Sequence, residues 1–431
     1  MLMLAPETRI PSDAVRLALH GGQQTVYRAR ERFRVVVAGR RWGKTQLARV
    51  ELIKRALGSP GRYWYVAPTL KDAKDIFWAD LKSGLDPTWL ASSPNESELR
   101  VQLRSGAEIR LFGAEEPHAL RGRGLRFVVL DEFADMKPEA WTESLRPSLS
   151  DHKAPALFIG TPRSFNHFYA LYERGQDVQR PTWGAWQFKT VDNPFIDPVE
   201  IEDAKRDLDA RTFRQEYEAS FEALSGRAYY AFNRQFNMAP VAFRPSDPVY
   251  LFFDFNINPA TGGIGQRVGP CPSVYREVRI RHAGGEATRA AARRVKDLLL
   301  EARHVGPIRI YGDATGRSAK TTGPADHQVL RELFPTATWC IPHANPHEKD
   351  RVSAVNACCE SASGEHRLTV DPSCVGLIAD LEQVIFAENG ELDKKSNPEL
   401  THVSDALGYW LAKDFPPVVK TRAGGMSVDW L

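Results

Sequence analysis

From Phe33 to Ile159, short uninterrupted apolar runs alternate with amphipathic segments. Phe33–Ala38 (FRVVVA) has a buried-strand pattern, and Leu47, Val50, Ile53 and Leu57 then recur at helical spacing. Tyr63–Ala67 (YWYVA) reads as a second strand, stopped by Pro68. Leu99, Val101 and Leu103 alternate with other residues, Ser105-Gly106 turns the chain, and Ile109 and Leu111 alternate again. That pattern predicts a β-hairpin. Phe127–Leu130 and Ala156–Ile159 are two further apolar runs. Strands that are apolar on both sides must be covered on both sides, so a mostly parallel sheet with helices on each face is expected.

The texture changes near Asp192–Pro198, where a charged helical stretch through FRQEY (213–217) begins. A second strand-rich region starts at Val249, with strand candidates Tyr250–Phe255, Ser273–Ile280 and Ile308–Tyr311 and a last helix near Ser404–Ala412. The expected division is therefore a first domain over 1–190, a helical connector over 191–245, a second domain over 246–415 and a mobile tail over 416–431.

Composition narrows the class. The 431 residues are 42% hydrophobic and 26% charged, which suits a globular chain with two cores. No apolar run is long enough for a bilayer, and the N-terminus lacks the basic and apolar regions of a secretory signal. The five cysteines, with no CxxC, favour reduced thiols over a disulfide framework or zinc module. Net charge is only +3, but arginines cluster at 28–41, 100–126 and 276–303. Local basic surfaces of that kind suit a phosphate backbone.

The first candidate chemistry lies in Ala38–Thr45 (AGRRWGKT), between a strand and a helix. This is a phosphate-loop arrangement, with Ala38 in the first glycine position. Gly39, Arg40, Arg41 and Gly43 form the loop, whose backbone N–H groups would cradle phosphates at a helix N-terminus. Lys44 supplies charge to the β- and γ-phosphates of ATP, and Thr45 a hydroxyl to Mg²⁺. Asp131 and Glu132 end the FVVL strand: the first suits Mg²⁺, the second the orientation of an attacking water. The Asp-Glu pair marks the additional-glutamate type of P-loop ATPase. Thr161 in GTP (160–162) is placed to sense the γ-phosphate. Arg40 and Arg41 are candidate fingers in cis; Arg100, Arg104, Arg121 and Arg123 are candidates in trans or for DNA. Gln23 or Gln24, with Tyr27, is the candidate adenine reader.

The second candidate chemistry is three separated acids. Asp254 lies in an otherwise apolar strand, Asp313 follows another, and Asp405 opens a helix. A buried unpaired carboxylate is costly, whereas three that converge can hold divalent cations. Two such metals align a water and a phosphodiester for in-line attack, with Asp254 as the expected bridge. The order strand, strand end, helix is that of a ribonuclease-H-like nuclease. His402 is expected beside the site; Asp393 and Glu391 are further acids without a clear place, and His343 and His347 lie in a Pro-broken stretch unsuited to a metal.

Together AGRRWGKT, APT (67–69), LRG (120–122), VVLDE, GTP, FRQEY, DFN, GDATG and HVSDALGYW resemble the phage terminase large subunit family over nearly the whole chain. The resemblance implies an α/β protein with an N-terminal P-loop ATPase followed by a ribonuclease-H-like nuclease. It carries Lys44, Thr45, Asp131, Glu132 and Thr161 over as ATPase residues, and Asp254, Asp313 and Asp405 as nuclease acids using Mg²⁺ or Mn²⁺. It also implies double-stranded DNA, a small terminase subunit and a portal protein as partners, and a ring of five subunits docked on a procapsid. The expected location is the host bacterial cytoplasm, transiently at the portal and outside the mature virion. The competing expectation is a helicase-like or repair translocase whose second domain does not cut.

Overall fold

The computed structural model describes residues 19–416 except 122–123, 223–225, 256–258, 282–285, 319–323, 388–389 and 398. The chain divides into two compact units. Of the described residues, the first holds 19–201 and 214–222, the second 202–213 and 226–416. The stretch expected as a connector is thus shared between the two units rather than standing as a third. Among the described residues no helix is long and apolar enough to cross a membrane. The tail expected from 416 lies almost wholly outside the described residues.

The first unit is built on a seven-stranded sheet. Its strands are β1 (Phe33–Ala38), β2 (Gly61–Ala67), β3 (Arg100–Gln102), β4 (Ala107–Gly113), β5 (Phe127–Asp131), β6 (Ala156–Gly160) and β7 (Trp183–Phe188). The order is β3-β4-β2-β5-β6-β1-β7. All neighbours pair in parallel except β3 with β4, the expected hairpin. Side-chain alternation explains the apolar runs. Val36, Tyr65 and Val129 pack on one face with Leu47 and Ile53 of the helix Lys44–Gly58. Val35, Val37, Trp64, Val66, Val128 and Leu130 pack on the other with Trp141, Leu145 and Phe168. Both faces are covered, so the central runs of these strands are apolar. Arg34 of β1 is fully buried and bonded to Glu51 of that helix and to the Val26 carbonyl.

The placing of β6 between β1 and β5 matters for chemistry. It sets three C-terminal strand ends side by side: the loop after Ala38, the Asp131-Glu132 pair and Thr161 after Gly160. Ligands of open parallel sheets bind at this end.

The second unit has a six-stranded sheet of β8 (Val249–Asp254), β9 (Ala260–Val268), β10 (Cys271–Ile280), β11 (Ile308–Gly312), β12 (Thr338–Trp339) and β13 (Thr369–Val370). Its order is β12-β11-β8-β9-β10-β13. The β8-β9-β10 meander is antiparallel, and β11 runs parallel to both β8 and β12. One face packs Phe252, Tyr311, Leu407 and Trp410; the other packs Leu251, Phe253 and Ile310 against Ala291 and Val295 of the helix Ala287–Glu301. Glycine in β9 makes room for these rings: a Cβ at Gly265 would sit 2.2 Å from the Trp410 ring. The acids expected on β8, after β11 and on the helix His402–Asp414 are carried by adjoining elements.

Candidate functional site

In the first unit, Gly43 is the N-cap of the helix Lys44–Gly58 and adopts φ +100°, a conformation side chains rarely tolerate. Close approach also selects Gly39, where a Cβ would lie 2.5 Å from Thr190 Oγ1. The Thr190 hydroxyl donates to the Arg40 carbonyl at 2.8 Å, and the Asn193 amide donates to the Arg41 carbonyl at 2.7 Å. The loop is thus held in shape from outside by residues beyond β7.

Lys44 is buried, and its Nζ donates to the carbonyls of Ala38 (2.9 Å) and Gly39 (3.2 Å) and to Thr161 Oγ1 (3.0 Å). The same ammonium lies 3.9 Å from Glu132 Oε1. Glu132 Oε2 accepts from the Thr161 backbone N–H at 3.0 Å. Glu132 has φ +49°, a left-handed backbone that is costly for a non-glycine residue and typical of places where a side chain must be aimed. Asp131 is 3% exposed; its carboxylate accepts from the Tyr65 hydroxyl and from the Glu132 N–H. Burial, reinforced by the Glu132 charge, pushes its pKa up to about 7. A buried acid under that strain is a fitting place for a divalent cation. Thr45 follows Lys44 in the first turn of the helix.

Arg40 and Gln23 both have partners within the protein. Arg40 is not a free finger: its guanidinium is bonded to Glu216, because that buried carboxylate needs a cation. Gln23 is 2% exposed and turned onto the loop instead of outward; its Nε2 donates to the Gly43 carbonyl at 2.7 Å and its Oε1 accepts from the His20 N–H at 3.0 Å. It braces the loop. Tyr27 has Lys54 over its ring at 5.2 Å, and Gln24 bonds the Leu19 carbonyl. Arg41 is exposed, with φ +61°. Of the other arginines, Arg100 pairs with Glu98 and Arg121 with Glu143, Arg104 donates to the Leu90 carbonyl, and Arg123 lies outside the described residues.

In the second unit, Asp254 is 8% exposed at the end of β8, with His402 Nδ1 3.6 Å from its Oδ2. Burial raises its pKa; the His402 hydrogen bond opposes this, and the charges of Asp405 and Asp313 add to it. Asp313 is held the other way. Burial would raise its pKa, but hydrogen bonds from Asn345 (2.7 Å) and the Thr315 N–H (2.7 Å) bring it below the ordinary value. Asp405 accepts from Arg351 at 3.0 Å on one oxygen and from Lys394 at 2.8 Å on the other. The three acids are close enough to feel one another, yet among the described residues no three His, Cys, Asp or Glu side chains form a group at metal-binding separation. The expected convergence is therefore incomplete as placed, because protein cations and amides satisfy each acid separately. Asp393 caps its own turn at Lys395 and Ser396, and His343 faces Arg317.

Sequence reasoning did not single out Tyr65, Arg163, Glu216, Arg351 or Lys394. A tyrosine or charge inside an apolar run was the available signal for Tyr65; the others become meaningful only through distant partners.

Residues 35–236 match the family described as terminase large subunit, T4-like-virus type, N-terminal. The chain is 32% identical over 207 residues to the terminase large subunit of Escherichia phage T5, covering 47% of each. It is 30% identical over 175 residues to that of Thermus virus P23-45, covering 36% of each. These matches span about half or less of those relatives' length. A large terminase of a thermophilic bacteriophage, solved in complex with ADP, superposes with TM-score 0.65 at 14% identity over 91% of this chain and 99% of that one. That likeness extends the shared fold over both units. The sequence of residues 35–236 is thus similar to the N-terminal part of terminase large subunits, and nearly the whole chain shares the fold of a large terminase.

Proposed function

We propose that the chain is the DNA-packaging motor and nuclease of a tailed double-stranded DNA phage or prophage. The first unit hydrolyses ATP and the second cuts DNA. The observation that carries the first half is the bonded set Lys44, Thr161 and Glu132, with Asp131 beside it. Lys44 and the loop N–H groups receive the phosphates, Thr45 and Asp131 would hold Mg²⁺, and Glu132 orients the water. Mg²⁺ held there would neutralise phosphate charge. Because Glu132 and Lys44 both bond Thr161, a change at the γ-phosphate reaches the end of β6 directly. Arg41, exposed on the same loop, is the candidate finger in cis.

In the second unit, Asp254, Asp313 and Asp405 would hold Mg²⁺ or Mn²⁺, which would supply water activation and charge stabilisation for phosphodiester cleavage. All are hard oxygen donors, and Asp254 is a buried carboxylate whose burial a bound cation would offset. Lys394 must release Asp405 for that set to form. A ring of five subunits, a small terminase subunit, a portal protein and a bacterial cytoplasmic site of action complete the proposal; they rest on the resemblance to terminase large subunits.

The test is ATP turnover by the full chain with and without linear double-stranded DNA, alongside plasmid cutting in Mg²⁺ or Mn²⁺. DNA-responsive turnover with cutting supports the proposal. Turnover without cutting under either metal favours the translocase with a non-cutting second domain, a reading that the Lys394 and Arg351 contacts to Asp405 keep alive. No turnover refutes the motor.

A further inference from the structure

Glu216 is a buried acid that the proposed hydrolysis does not yet use. Its side chain is 3% exposed and faces two arginines. Arg163 Nη1 donates to its Oε1 at 2.8 Å, and Arg40 Nε to its Oε2. The Arg40 N–H also donates to the Glu216 carbonyl at 2.7 Å, and the next carbonyl, of Tyr217, accepts from Thr190 at 2.7 Å. One end of this carboxylate therefore grips the phosphate loop. The other grips a residue two positions beyond Thr161, and Arg163 further reaches Asp135 at 3.4 Å. The Asp135 N–H returns to the Glu132 carbonyl at 2.9 Å. The connection runs from Glu216 through Arg163 and Asp135 to the backbone that aims Glu132. The Arg40 and Arg163 side chains are 42% and 39% exposed.

We propose that Glu216 is a positioning residue for nucleotide hydrolysis, holding Arg40 and Arg163 apart from the phosphates and fixing the Thr161–Glu132 geometry through Arg163. The proposal rests on the reading of the first unit as an ATPase. The physical reason is charge: two guanidiniums share one buried carboxylate. Burial alone would raise its pKa, but Arg163 and Arg40 hold it below the ordinary value. Without that charge the two arginines repel each other, and each is free to seek another anion, the bound phosphates first. Nucleotide binding, which depends on Lys44 and the loop N–H groups, is left in place. The step that needs Glu132 correctly aimed is lost.

The experiment compares wild type, Glu216→Gln, Arg163→Gln and the double variant as full chains. It reads kcat and KM for ATP, the Kd of mant-ATP and the thermal midpoint. Glu216→Gln should lower kcat about tenfold or more while Kd stays within about threefold, a split that general loosening does not produce. Arg163→Gln should do the same, and the double variant should fall no further than the worse single, as expected for residues acting as one unit. A kcat for Glu216→Gln within about twofold of wild type, or losses that multiply in the double variant, overturns the proposal. If Glu216→Gln does not fold, Arg163→Gln and Arg40→Gln decide: a kcat loss at unchanged Kd in Arg163→Gln supports it, and no loss in either overturns it. A wild type without ATP turnover overturns the ATPase reading and the proposal together, whereas turnover with an unaffected Glu216→Gln removes the proposal alone.

Discussion

The two candidate sites are built on opposite plans. In the first unit the groups are bonded to one another: Lys44 to Thr161, Thr161 to Glu132, Glu132 to Asp131. In the second unit each acid is bonded to something else: Asp254 faces His402, Asp313 takes Asn345 and Thr315, and Asp405 takes Arg351 and Lys394. The difference follows from charge. A phosphate site is made of donors, which backbone and one lysine can preassemble with no ligand present. A three-acid site is made of like charges, and without a cation it is stable only if the protein supplies counter-charges or keeps the acids apart.

The comparison is broken most severely by Lys44→Ala. It should lower ATP turnover at least about 10³-fold, measured by phosphate release, because Lys44 is the buried cation bonded to the loop carbonyls and Thr161. If turnover survives, the preassembled plan is wrong. Next comes Gly43→Ala. Its φ of +100° and the 2.4 Å approach of Gln23 Nε2 to the new Cβ should cost roughly 3 kcal/mol in stability by urea unfolding. Adding Gln23→Ala should recover the steric part but not the backbone part.

Asp380 supplies a pH test of the second unit. Its Oδ2 accepts from the Val403 and Ser404 N–H groups at 3.0 Å, capping the helix that carries Asp405. Burial dominates and raises its pKa from 3.8 to about 6. The folded value lies above the unfolded one, so its contribution is full below about pH 4 and is lost as pH rises through about 6. Wild type should therefore gain about 2 kcal/mol relative to Asp380→Asn between pH 7 and pH 4, and a flat difference would sink this assignment. The smallest effect is expected at Lys394. Lys394→Met frees one oxygen of Asp405, and Mn²⁺ affinity measured by titration calorimetry should rise about three- to tenfold. Weaker Mn²⁺ binding would show that Lys394 does not compete with metal.

Much of this was legible in the sequence. FRVVVA, YWYVA and FVVL are strands because their faces are covered on both sides, and that need is written into unbroken apolar runs. The loop at Lys44 and the Asp131-Glu132 pair were legible because their chemistry depends on local order: a strand before, a helix after. Strand β9 was not, since ATGGIGQRV trades apolar character for glycines that admit the Phe252 and Trp410 rings. Strand β7, WGAWQF, was also missed; it is an edge strand, whose pattern is less constrained. The role expected of Arg40 depended on Glu216, 176 residues away, and local spacing cannot report such a partner. The same holds for Lys394 and Arg351 at Asp405. Sequence singles out these acids by their place in the pattern but does not show what they touch.

The central claim is that two separate chemistries reside in the two units. It is tested most directly by measuring ATP turnover and plasmid cutting in parallel for wild type, Glu132→Gln and Asp254→Asn as full chains. The account predicts that Glu132→Gln loses turnover by about 10²- to 10⁴-fold while still cutting, and that Asp254→Asn stops cutting while still hydrolysing ATP. One substitution silencing both activities in a chain that remains folded, or cutting undiminished by Asp254→Asn, would contradict it.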